Sequence, residues 1–283
     1  MSNLKTLKSI DVASATIIGT GVQTLFSIIS AIILLIIVGI VSSSSFVAFL
    51  SIASTIIFGT IAFCIFSYFT QSSIYNWLAQ RINPISFSIE EDGTISKIAT
   101  APTAINLAII CTILSIIIYL MTVFVVPLIL STIVQVMMLA GQMQVATVLY
   151  NVAMLYTSPA MVIGYILGIF IMTCIYTLIS VSIYNLLAAR GYGAKVKLNE
   201  ENKITSLESI DVKSTALIYG VISLIIGLVT GIITAVISGS YLNIVAYTVS
   251  GLIGGIIVMA LIAIFYNFLS KKLGKLKMEL VNE

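Results

Sequence analysis

Three Tyr-Asn dipeptides are the residues of this chain whose types and spacing could do chemistry: Tyr75-Asn76, Tyr184-Asn185 and Tyr266-Asn267. A tyrosine hydroxyl both donates and accepts, and an asparagine amide does the same through separate atoms. A thrice-repeated pair of this kind invites reading as an active-site signature. The partners that catalysis needs are missing, however. The sequence has no histidine, so no histidine base and no histidine metal ligand. Cys64, Cys111 and Cys174 stand singly without metal-type spacing and read as small buried hydrophobes. No phosphate loop, dinucleotide fingerprint or nucleophile–base constellation is present. Polar groups able to converge on a lipid headgroup are confined to Asn76, Asn185, Asn267, Arg81 and Arg190. The expectation is therefore no enzyme, no cofactor and no metal. The pairs read instead as anchors, with the tyrosine ring in lipid and its hydroxyl out, and the asparagine capping a helix end or bonding a neighbouring helix.

A second set of candidates is a stripe of small and polar residues at helical spacing. Thr16, Thr20, Gln23, Ser27 and Ser30 form it in the first third of the chain, and Gly220, Ser223, Gly227 and Thr230 in the last. In the middle third Ala108, Cys111 and Ser115 keep three of the places and Ile118 breaks the pattern. Small residues so spaced let helix backbones approach closely in lipid. Gly164-x-x-x-Gly168, Gly227-x-x-x-Gly231 and Gly251-x-x-x-Gly255 repeat the pattern. The alternative is that the three stripes face a common axis and line a polar path.

The elements that position these residues are membrane helices. Of 283 residues 60% are hydrophobic and 8% charged, with a mean hydropathy of +1.19. Such a composition lies outside that of soluble domains. Apolar runs long enough for about 30 Å of hydrocarbon fall near Ser14–Val41, Phe46–Ser72, Ala104–Val126, Pro159–Ala188, Thr215–Ile237 and Leu242–Ser270. The first is too long, and too quickly followed by the second, for a cleaved signal peptide. No span carries a charge in its body, which disfavours proton relays and ion coupling. All 13 basic and 10 acidic residues fall in Lys5–Asp11, Arg81–Lys97, Arg190–Lys213 and Lys271–Glu283. With six spans these lie on one side, cytoplasmic by the basic excess, which makes a multi-pass cell-membrane protein with both termini inside. A net charge of +3 without a dense basic face excludes a nucleic-acid footprint.

The pattern repeats. Leu7–Ala15 and Leu207–Thr215 agree at six of nine positions, and Ile95–Thr103 is a degenerate third copy. Twelve and fourteen residues after each tyrosine come the apolar pairs Phe87 and Ile89, Val196 and Leu198, Met278 and Leu280. The expected fold class is thus membrane all-α. It has six transmembrane helices as three two-helix repeats (1–92, 93–202 and 203–283) with pseudo-threefold symmetry. Ile85–Ile89 turning at Glu90–Gly93, and Lys195–Leu198 turning at Asn199–Asn202, read as β-hairpins. The remaining strands, Leu4–Ile10 and Leu276–Leu280, are expected to pair and close a small cytoplasmic β-ring, since closure removes both edges. The middle repeat carries an insertion, 128–158. Its short runs Leu128–Ala140 and Val145–Tyr156 read as a re-entrant or interfacial hairpin bounded by Pro127 and Pro159.

The entry Ile-Asp-Val-x-Ser, the two spans and the exit Tyr-Asn-x-Leu with a short strand resemble a family of small two-helix membrane proteins of unknown function known from actinobacteria. That family's Gly-Gly before the strand is absent, Asn83-Pro84, Tyr192-Gly193 and Gly274-Lys275 standing there. The resemblance implies no activity. It does imply that a single-unit form works as a homotrimer of which this chain is a fused version. The functional expectation is a structural, assembly or accessory subunit whose partners are the lipid bilayer and other membrane or cytoplasmic proteins. The alternative is a channel or transporter along the axis. Under it Thr20, Gln23, Ser27, Cys111, Ser115, Gly220, Ser223 and Gly227 line the path.

Overall fold

A computed structural model describes residues 3–41, 46–201 and 204–282. The outer link Ser42–Ser45 and the turn residue Asn202 lie outside the described residues. The chain divides into two compact units, 1–103 with 178–283, and 104–177. The first holds β1 (Asn3–Ile10), α1 (Val12–Val41), α2 (Phe46–Ala79), β2 (Ser86–Ile89) and β3 (Ile95–Ile98). It also holds β4 (Val196–Glu201), β5 (Ile204–Ile210), α7 (Val212–Ser238), α8 (Leu242–Leu273) and β6 (Leu276–Asn282). The second unit takes most of α3 (Thr100–Thr122), then α4 (Val125–Leu139), α5 (Met143–Thr157) and the first part of α6 (Pro159–Ala188).

Among the described residues six helices, α1, α2, α3, α6, α7 and α8, are long and apolar enough to cross a membrane. By length and composition the chain is a polytopic membrane protein. A 30-residue helix such as α1 is about 45 Å long, longer than the hydrocarbon alone requires. Their outer faces carry side chains that water would reject, Phe58 at 71% exposure and Val236 at 80% among them. In hydrocarbon such exposure has no cost, and the polar backbone is satisfied within each helix. Asp11 and Asp211 supply the N-terminal caps of α1 and α7. Each carboxylate accepts from the Ser14 or Ser214 N–H at 2.7 Å, which satisfies one otherwise bare donor.

The strands form one antiparallel sheet in the order β3-β2-β1-β6-β5-β4. The terminal strands meet, Leu7 opposite Leu280 and Ile10 opposite Met278. The two end strands also meet, at a single antiparallel bridge between Thr94 and Lys195. There the Ile95 N–H donates to the Ala194 carbonyl at 2.9 Å and the Val196 N–H to the Gly93 carbonyl at 3.0 Å. Curling is visible in the side chains too. Lys5 of β1 bonds Glu200 of β4 directly, although β6 and β5 stand between them in the sheet. Register shifts at Leu7/Ser9, Ser88/Ile89 and Lys197/Leu198 are the kind of bulge that bends a strand and increases its twist. The seam between β3 and β4 admits only glycine at position 93. Its φ is +83°, and a Cβ would lie 2.3 Å from the Val196 carbonyl oxygen.

Two boundaries differ from expectation. β4 continues through Asn199 to Glu201 instead of turning at Asn199, because Asn199 and Glu200 pair with Ser206 and Thr205. α4 begins at Val125, so Pro127 sits in its first turn and does not bound it. The N–H that proline lacks is one a first turn leaves unbonded anyway. Pro159, by contrast, does open α6. Within the second unit the Tyr119 and Tyr156 rings lie 5.5 Å apart, and the Tyr156 hydroxyl bonds that of Thr122.

Candidate functional site

Each tyrosine of the three pairs is buried, with exposures of 3% for Tyr75, 8% for Tyr184 and 4% for Tyr266. This corrects the expectation of a hydroxyl turned out at the interface. The hydroxyl enters the sheet instead. Tyr75 Oη donates to the Leu7 carbonyl at 2.6 Å and accepts from the Ile85 N–H at 3.3 Å. Tyr184 Oη does the same between Ile95 (2.7 Å) and Ala194 (3.1 Å), and Tyr266 Oη between Leu207 (2.5 Å) and Leu276 (3.4 Å). The accepted N–H always lies ten residues beyond the tyrosine. At the first two places the opposite leg is a direct backbone bond, Leu7 N–H to Ile85 carbonyl and Ile95 N–H to Ala194 carbonyl. Each hydroxyl therefore stands in for one rung of a ladder whose strands have begun to part.

Three residues on, the asparagine takes over. Asn76 Oδ1 accepts from the Ile10 N–H at 2.7 Å while its Nδ2 donates to the Ile10 carbonyl at 2.8 Å. Asn185 embraces Ile98, and Asn267 embraces Ile210, all four bonds at 2.8 Å. The paired section of β1 with β2 ends at Thr6, and that of β5 with β6 at Leu207. The entry strand thus overhangs its partner, and the amide replaces the missing neighbour with one donor and one acceptor. The asparagines bond the strand rather than capping their own helices, and Asn185 also donates to the Thr100 hydroxyl at the start of α3, at 3.2 Å. Each Tyr-Asn pair is a clamp between helix end and strand, and the proton of every hydroxyl is committed to a carbonyl. Arg81 does not converge on the asparagines: its guanidinium lies 4.5 Å over the Trp77 ring.

Around the clamps the helix starts are tied to strands. The Asp11 N–H donates to the Lys277 carbonyl, that of Ala99 to Ser86 and that of Asp211 to Lys195, at 2.8–2.9 Å. The Ser14 and Ser214 hydroxyls accept from the Lys277 and Lys195 N–H groups, each at 3.0 Å. Pro102 occupies the matching place in the second copy and has no hydroxyl.

The stripe residues divide. Gly220, Ser223 and Gly227 of α7 face α8, where a Cβ on Gly220 would lie 2.4 Å from Ile256 Cγ1 and one on Gly227 2.3 Å from the Tyr247 carbonyl oxygen. Ser223 fits against Gly251 and Gly255. Gln23 of α1 turns toward α2 and reaches the Tyr68 hydroxyl at 3.5 Å. Ser27 is buried and donates to the Thr24 carbonyl, and the buried Thr20 hydroxyl has no hydrogen-bond partner. Cys111 and Ser115 belong to the second unit, where Ser115 donates to the Cys111 carbonyl at 2.7 Å. Ser115 also lines an apolar cavity of about 380 Å³ with Ile118, Tyr119, Leu155 and Tyr156. Within the second unit a Cβ on Gly164 or Gly168 meets nothing within 4 Å.

The polar space lies at the sheet. A groove of about 840 Å³ runs past Lys5, the Glu90–Gly93 turn, Lys195, Glu200 and Asp211. Burial pushes the Lys5 amine below its usual pKa. Lys195, 2.6 Å away, and then Thr94 hold the Asp92 carboxyl well below the usual carboxylate range. Asp92 in turn raises Lys195. Sequence reasoning missed Lys5–Glu200 and Asp92–Lys195 because both pairs join strands far apart in the chain. A carboxylate with a depressed pKa contributes stability that is full above its unfolded value, about 3.9, and is lost as pH falls toward its folded one. Hydrogen-exchange protection of the Ile95 and Val196 amides should therefore be constant near neutrality and fall below about pH 4. Asp92→Asn should lower it at neutral pH and flatten the acid loss, and a seam equally protected in acid with Asp92 intact would refute the coupling. No family model matches this chain, and neither does any curated protein or solved structure.

Proposed function

We propose that this protein is a non-catalytic structural, assembly or accessory subunit of a membrane complex, built as three fused two-helix repeats that hold a β-ring on the cytoplasmic side. The observation that carries the reading is the fate of the six Tyr-Asn side chains. All of them bond strand backbone, so the residues best suited to chemistry serve to fix the ring to the helix ends. The recurrence supports the repeats: each hydroxyl accepts from the N–H ten residues beyond it, and the asparagine always clamps the residue three after the one whose carbonyl the hydroxyl bonds. The register shifts fall on β6–β1, β2–β3 and β4–β5, the three pairings that join the exit of one repeat to the entry of the next. Pairing of β1 with β6 supports termini on one side of the membrane, and the basic excess favours the cytoplasm for that side. The resemblance to single-unit two-helix proteins fits the same plan, with a homotrimer replaced by one chain.

A transport role is the second reading, favoured by the buried, unbonded Thr20 hydroxyl beside Gln23 within a span. Purification in mild detergent separates the two. The subunit reading expects a stable assembly of fixed stoichiometry, and a lone chain that conducts solute in liposomes overturns it. Gln23→Leu should leave the assembly unchanged under the first reading and alter flux under the second.

A further inference from the structure

Among the cations, five lysines at the sheet are paired with acids: Lys5 with Glu200, Lys8 with Glu279, Lys195 with Asp92, and Lys197 and Lys275 with Glu208. Lys97 of β3 and Lys277 of β6 form no ion pair with a described acid. The cations where helices end, Arg81, Arg190, Lys271 and Lys272, have no acidic partner among the described residues. The reason is placement. All ten acidic residues fall on strands, in hairpin turns, at helix N-caps or at the C-terminal residue, and none at a helix C-terminus.

Three of these cations occupy one position. Arg81, Arg190 and Lys272 each lie six residues after the buried tyrosine of a clamp, and each is exposed. Four residues before each stands an exposed apolar side chain: Trp77 at 51%, Leu186 at 66% and Phe268 at 54%. Phe268 and Lys272 share a face of α8. Trp77 and Leu186 lie in the last turns of α2 and α6, and Arg81 and Arg190 follow two residues past those helix ends. The tyrosine's burial directs all three positions outward. The Arg81 guanidinium lies 4.5 Å over the Trp77 ring and the Lys272 amine 5.9 Å from the Phe268 ring. Two of the sites thus stack a cation without a described counter-ion on an aromatic ring, and the third repeats the spacing with Arg190 four residues after the exposed Leu186.

We propose that Trp77/Arg81, Leu186/Arg190 and Phe268/Lys272 are three equivalent sites for an anionic phospholipid. The cation takes the headgroup phosphate and the apolar side chain rests on the first methylenes of the acyl chain. This rests on the reading that the helices cross a bilayer. A helix C-terminus alone favours a cation but gives no reason for an exposed aromatic or leucine one turn below it. A free phosphate would have no use for that residue either, so the sites are committed to lipid. Guanidinium pairs phosphate with two parallel bonds, where an ammonium acts as a point charge, so the two arginine sites hold lipid more tightly than the lysine site.

The test is lipid retention by the full chain, purified from nanodiscs of mixed phosphatidylglycerol and phosphatidylcholine and weighed by native mass spectrometry. The wild type should retain phosphatidylglycerol over phosphatidylcholine. Arg81→Gln, Arg190→Gln and Lys272→Gln should each cut the ratio, by about fivefold per site as expected for one basic residue at a membrane surface. The single controls Lys8→Gln, Lys197→Gln and Lys275→Gln each remove the same charge from an acid-paired lysine and should keep the ratio. Trp77→Ala should weaken retention with the cation still in place. Equal loss in the controls would reduce the effect to net charge and overturn the sites, as would displacement of the lipid by millimolar inorganic phosphate or an unchanged ratio in the variants. Failure to enter nanodiscs at all would count against the membrane reading itself, a separate outcome.

Discussion

Gly227→Leu should unfold the helix pair α7–α8 more readily than any other single change in the spans. The added Cβ would lie 2.3 Å from the Tyr247 carbonyl oxygen and 3.1 Å from its carbon. Both are backbone atoms, so no side chain can swing aside and the helices must separate. Separation strips contacts along the whole face, since Gly220, Ser223 and Gly231 approach α8 as closely. Without a hydrophobic force between helices in lipid, those contacts are what hold the pair. We expect a loss of about 3 kcal/mol, the upper end for overpacking, read as a lower melting temperature in detergent. Gly168→Leu is the matched control, because nothing lies within 4 Å of its Cβ, and it should leave the melt unchanged. Equal melts for the two variants would mean that α7 does not pack on this face, and would return its stripe to the axis reading.

The second large effect belongs to the asparagine clamps. Asn185→Leu removes the donor and the acceptor that satisfy the Ile98 N–H and carbonyl. Each backbone group left unsatisfied costs about 1–3 kcal/mol, so the substitution should cost about 3 kcal/mol in all. Asn185→Asp keeps the acceptor but turns an oxygen toward the Ile98 carbonyl, and should be nearly as harmful. Asn76→Leu and Asn267→Leu should cost less. β1 and β5 each pair over three or more residues with a strand on either side, whereas β3 meets β4, among the described residues, at the Thr94–Lys195 bridge. Amide exchange at Ile98 reads this directly: it should speed up in Asn185→Leu well before global unfolding. Protection at Ile98 as strong as in the wild type would show that the strand is held without the clamp.

Much of this architecture was legible in the residues. Apolar length set the spans, because only a helix satisfies its own backbone in hydrocarbon. Alternation of Phe87 with Ile89, and of Val196 with Leu198, marked strands, because side chains alternate across a sheet. The offsets from each tyrosine to its strand carry no gap, so the residues that clamp could be named in advance. Which entry residues they clamp could not, since Leu7 and Ile10, bonded by Tyr75 and Asn76, lie 68 and 66 positions upstream. A tyrosine at a helix end satisfies the interface rule as well as it satisfies a parted ladder, and only the strand beside it decides between them.

Tertiary structure also decided what spacing left open. Gly164-x-x-x-Gly168 and Gly227-x-x-x-Gly231 are the same pattern on paper. One meets no neighbour within 4 Å and the other touches backbone, because a stripe packs only where a second helix presents a complementary face. The pairing of Lys5 with Glu200 needs a sheet curled far enough to bring β1 and β4 together, and no local pattern encodes that. The sequence by itself determined the kind of element at each position, through local hydrophobicity and backbone chemistry. Tertiary structure alone assigned the partners, because hydrogen bonds and close contacts between distant segments exist only once the chain is closed.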